Sequence, residues 1–285
     1  MDMSDGTNRW ESRYAAVRRS SWPRHWLSGA FLIALLTAAA PAAIGAAECP
    51  LKVEPRIPPP REPFIDPNKA VNIDILKSQL IEYKEGRDGQ PGNYDEDVGQ
   101  VFDRAFDYVK QRAAETKRSA DEGKTLAIVL DIDETSLSNW PNLKANNFGF
   151  IKGGPCSEEP NLSCGFDEWI LKGSAPAIPP ALKFFNDVIK ARSAAVFFIT
   201  GRRHSQRVAT LSNLDSEGFR GFAGLKTRPD DDHERSIVKF KSGGRKAIEA
   251  DGYKIIASIG DQESDLAGGA AECVFKVPNP FYFIQ

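Results

Sequence analysis

The stretch 127-AIVLDIDETSLSN-139 decides how the chain is read. Ala127 to Leu130 run without a polar break, as in a strand buried on both faces, and the run then delivers Asp131, Asp133 and Glu134 to one point. Carboxylates this close repel one another. They stay ionised cheaply only where something positive sits between them.

Three more runs share this texture: 194-AAVFFIT-200, 254-KIIASIGD-261 and, more weakly, 272-ECVFKV-277. Amphipathic patterns at 180-PALKFFNDVIKAR-192, 203-RHSQRVATLSNLDSEG-218 and 238-VKFKSGGRKAIEADG-252 predict helices between and beside them. Doubly apolar strands alternating with helices predict an α/β fold, a doubly wound parallel sheet covered on both sides. The strands end at Asp131, at Thr200-Gly201-Arg202 and at Gly260-Asp261. Ligands of open parallel sheets bind beyond the carboxyl ends of the strands, so these polar termini should meet in one crevice.

Upstream of the sheet, two helical segments are expected, the second marked by the stripe Val98, Phe102, Phe106 and Val109. Residues 70–285 then form the domain, with a small insertion at about 140–178, and residues 48–69 form a Pro-rich extended arm. Residues 1–47 read as a targeting segment: Arg18, Arg19 and Arg24 precede the apolar run 27-LSGAFLIALLTAAAPAAIGAA-47. Its small residues favour cleavage, with a retained signal anchor as the alternative. The chain is therefore expected to be periplasmic or secreted, touching a membrane only if that segment is retained or Cys49 is lipidated. Glu48 makes Cys49 a poor lipidation site.

An exported chain can form disulfides. Cys49, Cys156, Cys164 and Cys273 allow three pairings; loop proximity favours Cys156 with Cys164, leaving Cys49 to reach Cys273. Zinc is disfavoured, because no C-x-x-C is present and His25, His204 and His233 lack ligand spacing. With 285 residues, 41% hydrophobic and 27% charged, the composition is globular. A net charge of −2 with dispersed Lys and Arg argues against a nucleic-acid polymer as partner.

Mg²⁺ is a natural counter-ion for the clustered carboxylates, since it takes hard oxygen ligands together with substrate phosphate. Asp261 and Asp265, in 259-IGDQESDL-266, supply further carboxylates. With a phosphate bound, an Asp can act as nucleophile while a second carboxyl moves the proton. Thr200 and Lys241 are suited to holding phosphoryl oxygens. An EF-hand is excluded: Ser136 and Asn142 stand where such a loop needs Gly and Glu.

The ordered set 131-DIDET-135, 198-FITGR-202 and 260-GDQESD-265 resembles the signature of haloacid dehalogenase (HAD) superfamily phosphatases, and 240-FKSGGR-245 carries a lysine that matches the family's. Within it the chain resembles the subfamily IIIB acid phosphatases, with supporting text at 137-LSNWPN-142, 167-DEWILKGSAPAIP-179, 225-LKTRPDD-231 and 252-GYKIIASIGDQ-262. The resemblance implies a Mg²⁺-dependent acid phosphatase acting on small phosphomonoesters, nucleoside monophosphates among them. By the same resemblance Asp131 is the nucleophile and Asp133 the general acid and base, its carbonyl also on the metal. Thr200 and Lys241 hold the phosphoryl group and its charge, and Asp261 completes the metal site with Asp265 as a further ligand or an outer partner; Gly201 and Arg202 are candidate substrate contacts, Arg202 being equally suited to pair with an acidic neighbour. Lys239 competes with Lys241 for the lysine role, because helical phase alone does not choose between them. Glu263 departs from the family, where many relatives carry an aromatic. A silent storage relative and a phosphotransferase are the alternatives. Trp140, Phe148, Phe150 and Trp169, in the insertion, are candidates for stacking on a substrate ring.

Overall fold

The computed structural model describes residues 49, 55–58, 72–116, 124–156, 164–234 and 236–284. The expected targeting segment and most of the arm lie outside them. No helix among the described residues is long and apolar enough to cross a membrane.

Helices α1 (Ile73–Glu85) and α2 (Tyr94–Thr116) lead into the first strand, β1 (Thr125–Leu130). Between it and the next strand come α3 (Trp140–Ala145), α4 (Phe166–Lys172) and α5 (Pro179–Ala191). Strand β2 (Ala195–Arg203) follows, then α6 (Arg207–Ser216), β3 (Gly224–Arg228), α7 (Val238–Ala250), β4 (Tyr253–Gly260), α8 (Glu263–Leu266) and β5 (Cys273–Lys276). All strand pairs are parallel, in the order β3-β2-β1-β4-β5. The fold is the α/β sheet expected. Strand β3 adds to the four apolar runs: GLKTR carries two cations in a short edge strand, a pattern hydropathy does not mark.

Alternation explains why the runs are apolar throughout. Ile128 and Leu130 of β1 face a core shared with α2 and α5, while Ala127 and Val129 face a second core that includes Ile248 of α7. Phe198 of β2 sits in the larger core among Phe185, Phe219 and Phe222, their ring centroids 5.1–6.0 Å away. Asp97, buried on α2, accepts the Arg56 N–H at 2.8 Å and the Tyr83 hydroxyl at 2.9 Å, which docks residues 55–58 of the arm onto the helix.

Cys49 is bonded to Cys273 at the start of β5, and Cys156 to Cys164 in the insertion, with Cα separations of 5.4 and 4.3 Å. The pairing is the one loop proximity favoured.

Register sets the functional edge. Leu130 of β1 lies beside Phe198 of β2 and Ile259 of β4, so Asp131, Thr200 and Asp261 follow at nearly the same height. Replacing Phe198 by Ala empties a packed aromatic site and is expected to lower the unfolding free energy by about 3–5 kcal/mol, read from urea denaturation of the two proteins.

Candidate active site

Asp131 is the first residue past β1, its N–H donating to the Ile259 carbonyl at 3.0 Å. The chain then turns sharply: the N–H groups of Thr135, Ser136 and Leu137 all reach the Ile132 carbonyl, and Glu134 takes a left-handed φ of 53°. The Ser136 hydroxyl donates to the Asp131 carbonyl at 2.7 Å, tying the turn back to its start. This turn sends the three carboxylates of the opening stretch to three different places.

Asp131 meets Asp261 and Asp265, and one carboxylate oxygen from each lies within 4.8 Å of the others, all three residues being buried. Lys241 enters this cluster from α7. Its buried Nζ is 2.7 Å from Asp131 Oδ1 and also contacts Asp265 Oδ1. Burial and the charge of Asp265 push the Asp131 carboxyl up, against the pull of Lys241. Asp261 is likewise pushed up to about 6 by burial and by Asp265. Burial alone would lower Lys241, but Asp131 and Asp265 outweigh it and hold the ammonium charged.

Two close approaches hold this geometry. A Cβ on Gly260 would stand 2.2 Å from Cβ of Asp265, so only glycine lets Asp265 lie over the end of β4. On Gly244 a Cβ would stand 2.9 Å from Ile199, so glycine also brings α7 down onto β2. Arg245, fully buried, donates to the carbonyls of Asp265 at 2.6 Å, Gly269 at 2.9 Å and Ala267, fixing the loop that carries Asp265.

Asp133 points elsewhere. Its carboxylate accepts from Arg202 Nη2 at 2.8 Å and Nε at 3.1 Å, and from Asn139 Nδ2 at 2.9 Å. Burial would raise it, but the Arg202 charge and these bonds win and hold it below the usual carboxylate range. Glu134 is buried against Asn139 and Tyr282. It accepts the Asn139 N–H and the Tyr282 hydroxyl, each at 2.5 Å, and desolvation pushes it up to about 8.

The structure thus brings together Asp131, Lys241, Asp261 and Asp265, and seats Thr200, fully buried, on the neighbouring strand β2. Thr200 Oγ1 accepts the Arg202 N–H at 3.2 Å. Arg202 is engaged with Asp133, and Gly201 lies against Ile237. Lys239, the competitor, is exposed and pairs with Glu234 at 3.2 Å. Glu263 is exposed on α8. Of the insertion aromatics, Trp140 and Trp169 are buried, donating to Glu85 and Asn139 at 2.9 and 2.8 Å, and Phe148 packs on Trp140. Phe150 remains 77% exposed, 5.9 Å from the Phe166 ring.

Sequence reasoning missed Asn139, Arg245, Gln262, Asn279 and Tyr282. Asn139 stands a few residues past the D-x-D turn, where a side-chain amide is a natural turn partner, so it had a local signal. Gln262 follows Asp261 directly and had a local signal too, whereas Asn279 and Tyr282 come from far along the chain and Arg245 from a polar helix face.

Residues 67–285 match the family described as HAD superfamily, subfamily IIIB (Acid phosphatase). The chain belongs to that family. Acid phosphatase 1 of Solanum lycopersicum is 35% identical over 191 residues, covering 66% of this chain and 71% of the relative. The stem 28 kDa glycoprotein of Glycine max is 34% identical over 180 residues, covering 62% and 67%. In fold, the chain is similar to the class C acid phosphatase of Bacillus anthracis with tungstate bound, at 23% identity and a TM-score of 0.52 over 73% of this chain and 86% of that one. Membership of subfamily IIIB makes this acid phosphatase a phosphoric monoester hydrolase.

The two lysines give a test within this family. Lys241→Met is expected to lower kcat by about 10²–10³-fold, the usual cost of deleting one charge-stabilising donor, while Lys239→Met leaves it unchanged. Steady-state kinetics of both variants decide it.

Proposed function

We propose that this chain is an exported acid phosphatase that hydrolyses phosphomonoesters, nucleoside monophosphates foremost, with Mg²⁺ and through a phosphorylated Asp131. The observation that carries this reading is the buried Lys241 ammonium shared between Asp131 and Asp265. A nucleophilic carboxylate, a fixed cation and two further carboxylates at one sheet edge are the parts that phosphoryl transfer needs.

The donor set fits a hard dication: Asp131, Asp261 and Asp265 are buried oxygens whose mutual repulsion a single lysine does not offset. These residues would hold Mg²⁺, with the Asp133 carbonyl a further ligand. The metal would supply charge neutralisation of the bound phosphate.

Asp131 attacks phosphorus, and Lys241 and Thr200 hold the equatorial oxygens on which charge accumulates. A protonated Asp133 gives its proton to the leaving oxygen. It then takes one from the water that cleaves the aspartyl-phosphate and so regenerates Asp131. Arg202 favours the ionised form of Asp133, the form this second step uses. An acidic optimum, in keeping with the family, would supply the protonated form for the first.

Export is supported by the apolar run at 27–47 and by two disulfides. Turnover of 4-nitrophenyl phosphate is expected to require Mg²⁺, to stop on chelation and to be abolished in Asp131→Asn. Folded, Mg²⁺-saturated protein that is inactive between acidic and neutral pH would leave the silent storage relative as the better account.

Phe150 presents the exposed aromatic face that base stacking requires. Stacking of this kind contributes about 1–3 kcal/mol per base. Phe150→Ala is therefore expected to raise KM for a nucleoside monophosphate by about 5- to 150-fold and to leave KM for a phosphate lacking a ring unchanged, measured side by side.

A further inference from the structure

Strand β5 ends at Lys276, and the chain beyond it turns back over the site instead of leaving the domain. Val277 N–H donates to the Gly260 carbonyl at 2.9 Å, and Lys276 Nζ donates to the Asp261 carbonyl. Phe281 anchors the last residues, its ring 5.3 Å from Tyr94 and 5.1 Å from Trp140. From this anchored tail, side chains and one backbone N–H reach the residues already assigned to chemistry.

Asn279 accepts the Phe281 N–H on Oδ1 at 2.9 Å, which leaves its Nδ2 aimed at Asp261 Oδ2, 2.7 Å away. Ile284 N–H donates to Gln262 Oε1 at 3.0 Å, and Gln262 Nε2 in turn donates to Asp261 Oδ2 at 2.6 Å. Both amides on that oxygen are thus oriented by the tail. Thr135 Oγ1 donates to the other oxygen at 3.0 Å. All of these side-chain donors are neutral: they fix where the carboxylate points without cancelling its charge, which suits a carboxylate needed by a cation.

A second chain of bonds starts at Tyr282. Its hydroxyl donates to Glu134 Oε2 at 2.5 Å. The same Glu134 oxygen accepts Asn139 Nδ2 at 3.0 Å, and that amide also donates to Asp133 Oδ1 at 2.9 Å. Trp169 Nε1 closes the other end of Asn139 at 2.8 Å, so the amide cannot turn without breaking several bonds.

We propose that the C-terminal tail, residues 277–284, is part of the active site, with Asn279 and Tyr282 as positioning residues for Asp261 and for Asp133. The proposal deepens the reading above and rests on it, since it takes Asp261 as a metal ligand and Asp133 as the group that moves the proton. Asn279 sets the aim of the metal carboxylate, and Tyr282 sets the aim of the proton carrier through Glu134 and Asn139.

Two single-group deletions in the full chain test this. Asn279→Ala is expected to weaken Mg²⁺ binding about 10–100-fold in titration calorimetry, the usual cost of losing an outer partner of a metal ligand. Tyr282→Phe leaves the Phe281 anchor and the Tyr282 ring in place and removes one oxygen. It is expected to lower kcat for 4-nitrophenyl phosphate about tenfold at saturating Mg²⁺, with KM and Mg²⁺ affinity unchanged. Unmodified protein that is active, beside variants with its kcat and Mg²⁺ affinity, would overturn the role of the tail alone. Unmodified protein that neither binds Mg²⁺ nor turns over substrate would overturn the reading of the site, and this proposal with it.

Discussion

The site depends on one buried ammonium. Lys241 sits between Asp131 and Asp265 with no solvent to share its charge, and buried ions persist only when paired and hydrogen-bonded. The requirement runs outward through the fold. Lys241 reaches the cluster because α7 lies close on β2, and α7 lies close because residue 244 has no side chain. Asp265 is there to receive it because Gly260 leaves room beneath and Arg245 gathers three carbonyls of the following loop. A side chain at Gly260 would push Asp265 off Lys241, and removing Lys241 would leave buried carboxylates without their partner.

The sheet supplies what the ion pairs cannot, a common height for the reacting groups. Since β1 is central and in register with β2 and β4, Asp131 and Asp261, just past their strands, and Thr200, within β2, arrive together without any long-range adjustment. The turn after Asp131 then distributes its charges, sending Asp131 to the lysine, Asp133 to an arginine and Glu134 to a tyrosine. This separation is how three carboxylates coexist within four residues.

Strands β1, β2 and β4 were legible because burial on both faces writes an unbroken apolar run, and the polar residue that stops the run marks the functional edge. The choice between Lys239 and Lys241 was not legible by periodicity. Two residues apart on a helix are roughly 200° apart around it, so only one can face the sheet. The inward face of α7 carries Lys241, Gly244, Arg245 and Ile248, which is too polar for a hydropathy stripe to reveal. Motif resemblance singled out Lys241 where periodicity was silent. The tail was hidden for another reason: Tyr282 and Glu134 are 148 residues apart, and nothing local in either stretch announces the other. Arg202 was read as a substrate contact or an ion-pair partner, and its place beside Asp133 follows from strand alternation with Thr200 together with the irregular register after it.

The two aspartates of the D-x-D pair differ by environment more than by chemistry. Asp133 has a guanidinium to itself, whereas Asp131 shares one ammonium with Asp265 and lies beside a third carboxylate, Asp261. On the proposed reading a dication would change the sign of the surroundings of the Asp131 carboxylate it binds, and would reach Asp133 through that residue's carbonyl while Arg202 keeps hold of the Asp133 carboxylate. An ionised nucleophile and a competent metal site are then the same condition, so substrate meets an attacking carboxylate only when the charge of its phosphate can also be accommodated.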